Sequence, residues 1–197
     1  LQGTAFEKSQ VIPCSSVNRT GESELITALK DHAQRMQQRS DSGHFRMAID
    51  RTFSIKGAGT VVTGAILAGE IGLSGTLSAP NQSQSFKVRG LHRQNVVSAS
   101  ASAGDRAALN LTGQQAALSD LTRGDWLTAN PTMSAQRHCD IMLQVLPAEK
   151  KSIRHWTSVH VHHAAQHTLG HLATLSGPEI KSGTSGIVQL VSSAPLS

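Results

Sequence analysis

Nowhere in its 197 residues does this chain hold an apolar run approaching the ~20 positions that a helix needs to cross a bilayer. No basic stretch followed by an apolar segment opens it either, which argues against a secretory leader. Cysteine is scarce: Cys14 and Cys139 lie more than a hundred positions apart, so a disulfide framework is not expected and a reducing cytoplasm is. Charged residues make up 16% and hydrophobic residues 38%, the balance of a soluble globular protein of one or two domains. No initiator Met begins the chain, which suggests an excised piece of a longer one. Nucleotide and hydrolase signatures are missing as well. No Gly-Lys-Ser/Thr closes a phosphate loop, and no Gly-x-Ser-x-Gly elbow appears.

What is present is a modest basic excess, with formal net charge +5 and sequence pI ≈ 9.7. The first 43 residues are balanced, so the excess falls on the remainder. Such a surface favours nucleic acid through counterion release, although many basic proteins bind none.

Three segments separate by pattern. Residues 1–43 open with the extended run Gln10 to Ser16 and a turn at Asn18 to Gly21. Leu25, Ile26, Leu29, Ala33 and Met36 then recur at helical spacing. Glu22 and Glu24 at its start and Arg35 and Arg39 at its end suit the helix dipole, and a polar linker follows over 37–43. Residues 44–131 are full of short strand signals: Phe45, Met47 and Ile49 alternate with Arg46, Ala48 and Asp50, and Thr60-Val-Val-Thr63 is β-branched throughout. Glycines punctuate these runs at turn distances, which predicts a closed β-barrel. Residues 132–197 repeat the pattern, with strands expected over 141–146, 158–163, 169–175 and 186–191 and no closing strand, so the second barrel is expected to be incomplete.

Individual strings invite chemistry. Lys56-Gly-Ala-Gly-Thr-Val-Val-Thr-Gly64 resembles a nucleotide loop, but Val62 stands where a dinucleotide fingerprint needs its third Gly; a tight turn between strands explains it better. His160, His162, His163, His167 and His171 suggest metal, yet no Cys or carboxylate lies near them in sequence, so barrel packing or phosphate contacts are preferred and no metal site is assigned. Cys14 ends an apolar run and reads as buried and inert, and no catalytic residue is assigned. Asp50-Arg51, between strand-like runs, is by itself an ordinary surface pair.

The order of the strings is more specific than any one of them. Phe45-Arg-Met-Ala-Ile-Asp-Arg-Thr-Phe53, the glycine string to Gly64, Val88-Arg-Gly-Leu-His-Arg-Gln-Asn95, Ala103-Gly-Asp-Arg106 and Arg123-Gly-Asp125 together resemble the second-domain β-barrel of translational GTPases. Asp50-Arg51, where elongation factor Tu has acidic residues, and Val161-His-His-Ala-Ala-Gln-His167 resemble the selenocysteine-specific elongation factor of bacterial type. The resemblance implies a mostly β fold: a strand–helix remnant of an α/β GTPase domain, a second-domain barrel, and part of a third-domain barrel. It also implies a pocket for the selenocysteyl group at Asp50, Arg51 and Arg106, and a guanine-loop remnant at Ser15 and Ser16. Lys56, His92 and Arg93 are candidate tRNA contacts.

The chemistry suits that pocket. A selenol is largely ionised near neutral pH whereas serine's hydroxyl is neutral, and two permanently charged guanidiniums favour the anion. Asp50 is expected to hold Arg51 in place. The resemblance further implies selenocysteinyl-tRNA, the ribosome and a selenoprotein messenger RNA hairpin as partners, no membrane, and GTP with Mg2+ in the parent protein. The phosphate loop and guanine motif are expected upstream of Leu1 and the hairpin-reading extension downstream, so this chain alone is expected neither to hold a cofactor nor to hydrolyse GTP. A general elongation or initiation factor, and a barrel scaffold that binds no nucleic acid, remain as alternatives.

Overall fold

The structure is a computed structural model and describes residues 3–4, 6–35, 42–82 and 84–197. The expected helix is α1, Glu22–Arg35, entered by the amide of Leu25 donating to Gly21 O at 2.9 Å. Met36, Arg39 and most of the linker lie outside the described residues. None of α1 is buried: Leu25, Ile26 and Leu29 all face outward into the open. The run from Gln10 to Ser16 forms no strand and pairs with none among the described residues, and Cys14 is exposed rather than buried. An extended segment becomes a strand only when a neighbour takes its backbone groups, and here Ser15 N donates instead to Thr20 O across a local turn.

Ten elements then build one barrel. They are β1 (Arg46–Ile55), β2 (Gly59–Ala68), β3 (Glu70–Gly72), β4 (Thr76–Ser78), β5 (Ser85–Arg93), β6 (Val96–Val97), β7 (Ser100–Ser102), β8 (Arg106–Thr112), α2 (Gln115–Ser119) and β9 (Trp126–Thr128). The sheet runs β4-β9-β1-β2-β8-β5-β6, and β4 also pairs with β5, so six strands close on themselves. Closure removes the unpaired edges that an open sheet would expose. Period-2 alternation turns Met47, Ile49, Val62, Phe86, Leu109 and Leu127 inward, where all are essentially inaccessible. Each such side chain contributes about 1.5–3 kcal/mol by leaving water. The paired β3 and β7 form a small ribbon outside the ring.

The second β unit comprises β10 (Gln136–Gln144), β11 (Ile153–Arg154), β12 (Thr157–His163), β13 (Gln166–Thr174), β14 (Glu179–Ile180) and β15 (Ser185–Leu196). Its main sheet, β10-β15-β13-β12, is open at β10 and β12, in keeping with an incomplete barrel. β15 is longer than expected and sits in the middle, because residues past Val191 keep pairing: Ser192 lies opposite Gly170. A small core of Val145, Leu172, Ile180, Val188 and Leu190 fills its inner face.

The two units touch through Trp126. Its ring lies 5.1 Å from that of His163 in a stacked arrangement, and the Arg46 guanidinium lies over it at 5.3 Å. Gly124 allows the approach: a Cβ there would stand 3.0 Å from Gln166.

Candidate functional site

Strict alternation along β1 would send Asp50 and Arg51 to opposite faces of the barrel. The strand does not alternate there. Ile49 lies opposite Gly64 and Arg51 opposite Thr63, so Asp50 is the extra residue of a β-bulge. The bulge turns Arg51 to the outside together with Asp50 and restores Thr52 to the inner side and Phe53 to the outer. Both sides of the bulge are pinned. Ile49 N donates to Asp125 O at 2.8 Å and Gly124 N donates to Ile49 O at 2.9 Å, so the Arg123-Gly-Asp125 turn clasps β1 just before Asp50. Gly124 has φ +100, a conformation suited to glycine. Across the ladder, a Cβ on Gly64 would lie 2.0 Å from Ala48 O, so only glycine fits opposite the bulge.

Arg106 arrives by a different route. Gly104, at φ +98, turns the chain, and Asp105 Oδ2 accepts from Ser102 N at 3.0 Å, so that Arg106 begins β8 opposite Ala65. Register across β1, β2, β8 and β5 then lays Arg51, Thr63, Ala108 and His92 in one lateral row on the outer wall. Phe53, Val61, Asn110 and Gly90 form the next. The small Ala108, between Thr63 and His92 in the first row, leaves room for a cleft of about 340 Å³, lined by Arg51, Phe53, Thr63, His92, Arg106 and the β5–β6 turn at Gln94 and Asn95. That turn has positive φ at both residues, 50 and 67, as the commonest two-residue hairpin turn requires.

Asp50 is the hub of the polar contacts. Its Oδ2 accepts from the Arg106 guanidinium at 2.5 Å and its Oδ1 from the Thr63 hydroxyl at 2.7 Å. Burial pushes the Asp50 carboxyl up, but the Thr63 hydrogen bond, the Arg106 hydrogen bond and charge, and the charge of Arg51 together hold it below the usual carboxylate range. The expected partnership is therefore reassigned: Asp50 grips Arg106, and Arg51 acts on it through charge alone. Arg51 enters no ion pair among the described residues. The cleft thus carries one compensated and one uncompensated guanidinium beside an aromatic wall, an arrangement suited to a small anionic group.

The remaining sequence candidates divide. His92 lines the cleft, and Arg93 sits at its edge 3.9 Å from Asp105. Lys56 lies in the β1–β2 turn, away from the lining. Ser15 and Ser16 line a separate cleft of about 350 Å³ with Cys14, Arg19 and Glu22. Its hydroxyls and single arginine suit the edge of a base and do not fit a triphosphate with its metal. A larger cleft of about 460 Å³ opens on the other side of Phe53 and carries Arg123 as its one charged side chain. Four of the five histidines make ring contacts: His163 with Trp126, His171 with Trp156 at 5.0 Å, and His162 with His167 at 6.2 Å. Among the described residues no three His, Cys, Asp or Glu side chains converge as metal ligands, and no helix is long and apolar enough to cross a membrane. Sequence reasoning missed Thr63; the β-branched run Thr60-Val-Val-Thr63 has a hydroxyl at each end, and nothing in its spacing marks Thr63 over Thr60.

Comparison with known proteins agrees with the motif order. Residues 140–197 match the family described as selenocysteine-specific elongation factor, beta-barrel domain. The selenocysteine-specific elongation factor of Escherichia coli is 36% identical over 152 residues, covering 76% of this chain and 24% of that protein. The one from Desulfomicrobium baculatum is 30% identical over 196 residues, all of this chain and 31% of that protein. This chain therefore spans 24% and 31% of the length of these two relatives. Translation elongation factor SelB from Methanococcus maripaludis, in its apo form, superposes with a TM-score of 0.79 at 23% identity, over 94% of this chain and 43% of that one, which shows the shared fold.

Proposed function

We propose that this chain, similar throughout to the barrel-bearing part of selenocysteine-specific elongation factors, is the portion of such a factor that grips selenocysteinyl-tRNA by its aminoacyl end. The cleft on the outer wall of the closed barrel receives the selenocysteyl group. One observation carries the reading: Arg51 and Arg106 both line the cleft, while the nearby carboxylate, Asp50, bonds to Arg106 and Thr63 and leaves Arg51 without an ion pair among the described residues.

An ionised selenol entering the cleft meets the unpaired guanidinium of Arg51 and the donors of Arg106 not used by Asp50. A seryl hydroxyl meets the same groups without a charge to offer, leaving the guanidinium's desolvation uncompensated. Discrimination is thus built into the ground state of the barrel wall. His92 and Arg93 beside the cleft, and Lys56 farther off, are placed to meet tRNA phosphates. In the intact factor, GTP hydrolysis, delivery to the ribosome and reading of a selenoprotein messenger RNA hairpin accompany this step in the cytoplasm.

The test is affinity for selenocysteinyl-tRNA and seryl-tRNA in the intact factor with GTP present, for wild type, Arg51→Ala and Arg106→Ala. Each substitution is expected to cost roughly 2–5 kcal/mol toward selenocysteinyl-tRNA and far less toward seryl-tRNA. Unchanged preference in both variants would remove the pocket from the account.

A further inference from the structure

Two arginines select an anion only when their guanidiniums are held where it arrives. Arg106 is poorly restrained by packing, since its side chain is 61% exposed, and an exposed arginine samples many rotamers. What holds it is Asp50, and Asp50 stands on a bulge with a second cation, Arg51, next to it in sequence. The carboxylate has two arginines to choose between. The Thr63 hydroxyl settles the choice by donating to Oδ1, which turns Oδ2 toward Arg106. Thr63 is well placed for this, because it lies opposite Arg51 in the ladder and its neighbour Gly64 is packed against Ala48 O.

We propose that Thr63 is a positioning residue that commits Asp50 to Arg106 and so leaves Arg51 as the uncompensated charge that sets selectivity in the cleft. The two guanidiniums then have unequal duties: Arg106 is the fixed donor and Arg51 the net positive charge. Without the hydroxyl the carboxylate divides itself between the two, the net charge facing the ligand falls, and preference for an anion over a neutral hydroxyl weakens. This inference rests on the aminoacyl reading of the cleft.

Thr63→Ser keeps the hydroxyl and Thr63→Val keeps the shape without it. In competition between selenocysteinyl-tRNA and seryl-tRNA on the intact factor, the serine variant is expected to keep the wild-type preference and the valine variant to lose about tenfold, the worth of one hydrogen bond to a charged group. Carbon-detected NMR titration of Asp50 in this chain supplies a readout that a purely structural role would not move. Removing the hydrogen bond shifts the Asp50 midpoint upward in the valine variant and not in the serine variant. A valine variant with wild-type preference and an unshifted Asp50 midpoint overturns the proposal. Arg51→Ala and Arg106→Ala run alongside separate the two claims. If they abolish the preference while Thr63→Val does not, the positioning role alone falls; if they too preserve it, the aminoacyl reading falls.

Discussion

β4 pairs with both β9 and β5 and so closes the first β unit, whereas β10 and β12 of the second each have one partner and stop. The closed unit buries a continuous core from Phe45 to Leu127; the open one has a core of five buried hydrophobic side chains and leaves Met142, Leu169 and Ile187 turned outward. Every residue of the proposed aminoacyl cleft lies on the closed unit. A site that works by holding charges apart needs a wall that does not breathe, and closure with a filled interior supplies one. The open sheet contributes stacked rings and two edge strands, β10 and β12.

Gly64→Ala breaks the closed unit most severely, because its Cβ has no room beside Ala48 O. A loss above about 4 kcal/mol in denaturant unfolding is expected, the scale of a diagnostic core lesion. Gly90→Ala, whose Cβ would meet Asn110 Cβ at an ordinary 3.5 Å, serves as its mild counterpart. Trp126→Ala comes next, at about 3–5 kcal/mol, since it removes a 2%-exposed side chain and the stack on His163 together. Loss of amide protection on both units would show that Trp126 couples them; loss on the barrel alone would show independence. Leu190→Ala is expected to cost about 2–5 kcal/mol but to act locally, opening β13 and β15 to hydrogen exchange while amides of β2 and β8 stay protected. The smallest effect is acid-driven. Asp50 has a lowered pKa, so its contribution is complete above the ordinary carboxylate range and fades as pH falls through that lowered value. With Arg106 61% exposed, solvent screening keeps the contribution under about 1 kcal/mol, and Asp50→Asn should abolish its pH dependence.

Much of this was legible beforehand, and for physical reasons. Period-2 patterning around Met47, Ile49 and Val62 marks a core-facing side wherever one face of a strand is buried. Glycines at 64, 104 and 124 stand where close approach or left-handed backbone demands them. The bulge at Asp50 was not legible, because it arises from the clasp of Gly124 and Asp125 on Ile49, a contact made across more than seventy positions. For the same reason the partner of Asp50 was misassigned: Arg51 is adjacent in sequence, but the fold brings Arg106 to hydrogen-bond distance. The extended run before Ser16 shows the converse failure, with strand-like residues that find no ladder. The histidine string looked like metal chemistry because spacing does not reveal that two of its members have tryptophans to stack upon.

The most direct measurement is the ratio of selenocysteinyl-tRNA to seryl-tRNA affinity for the intact factor carrying both Arg51→Ala and Arg106→Ala. With no guanidinium left to meet the selenolate, that ratio should collapse toward parity through weaker selenocysteinyl-tRNA binding, with seryl-tRNA scarcely affected. A double variant that still strongly prefers selenocysteinyl-tRNA would mean that selection happens elsewhere than on this barrel wall.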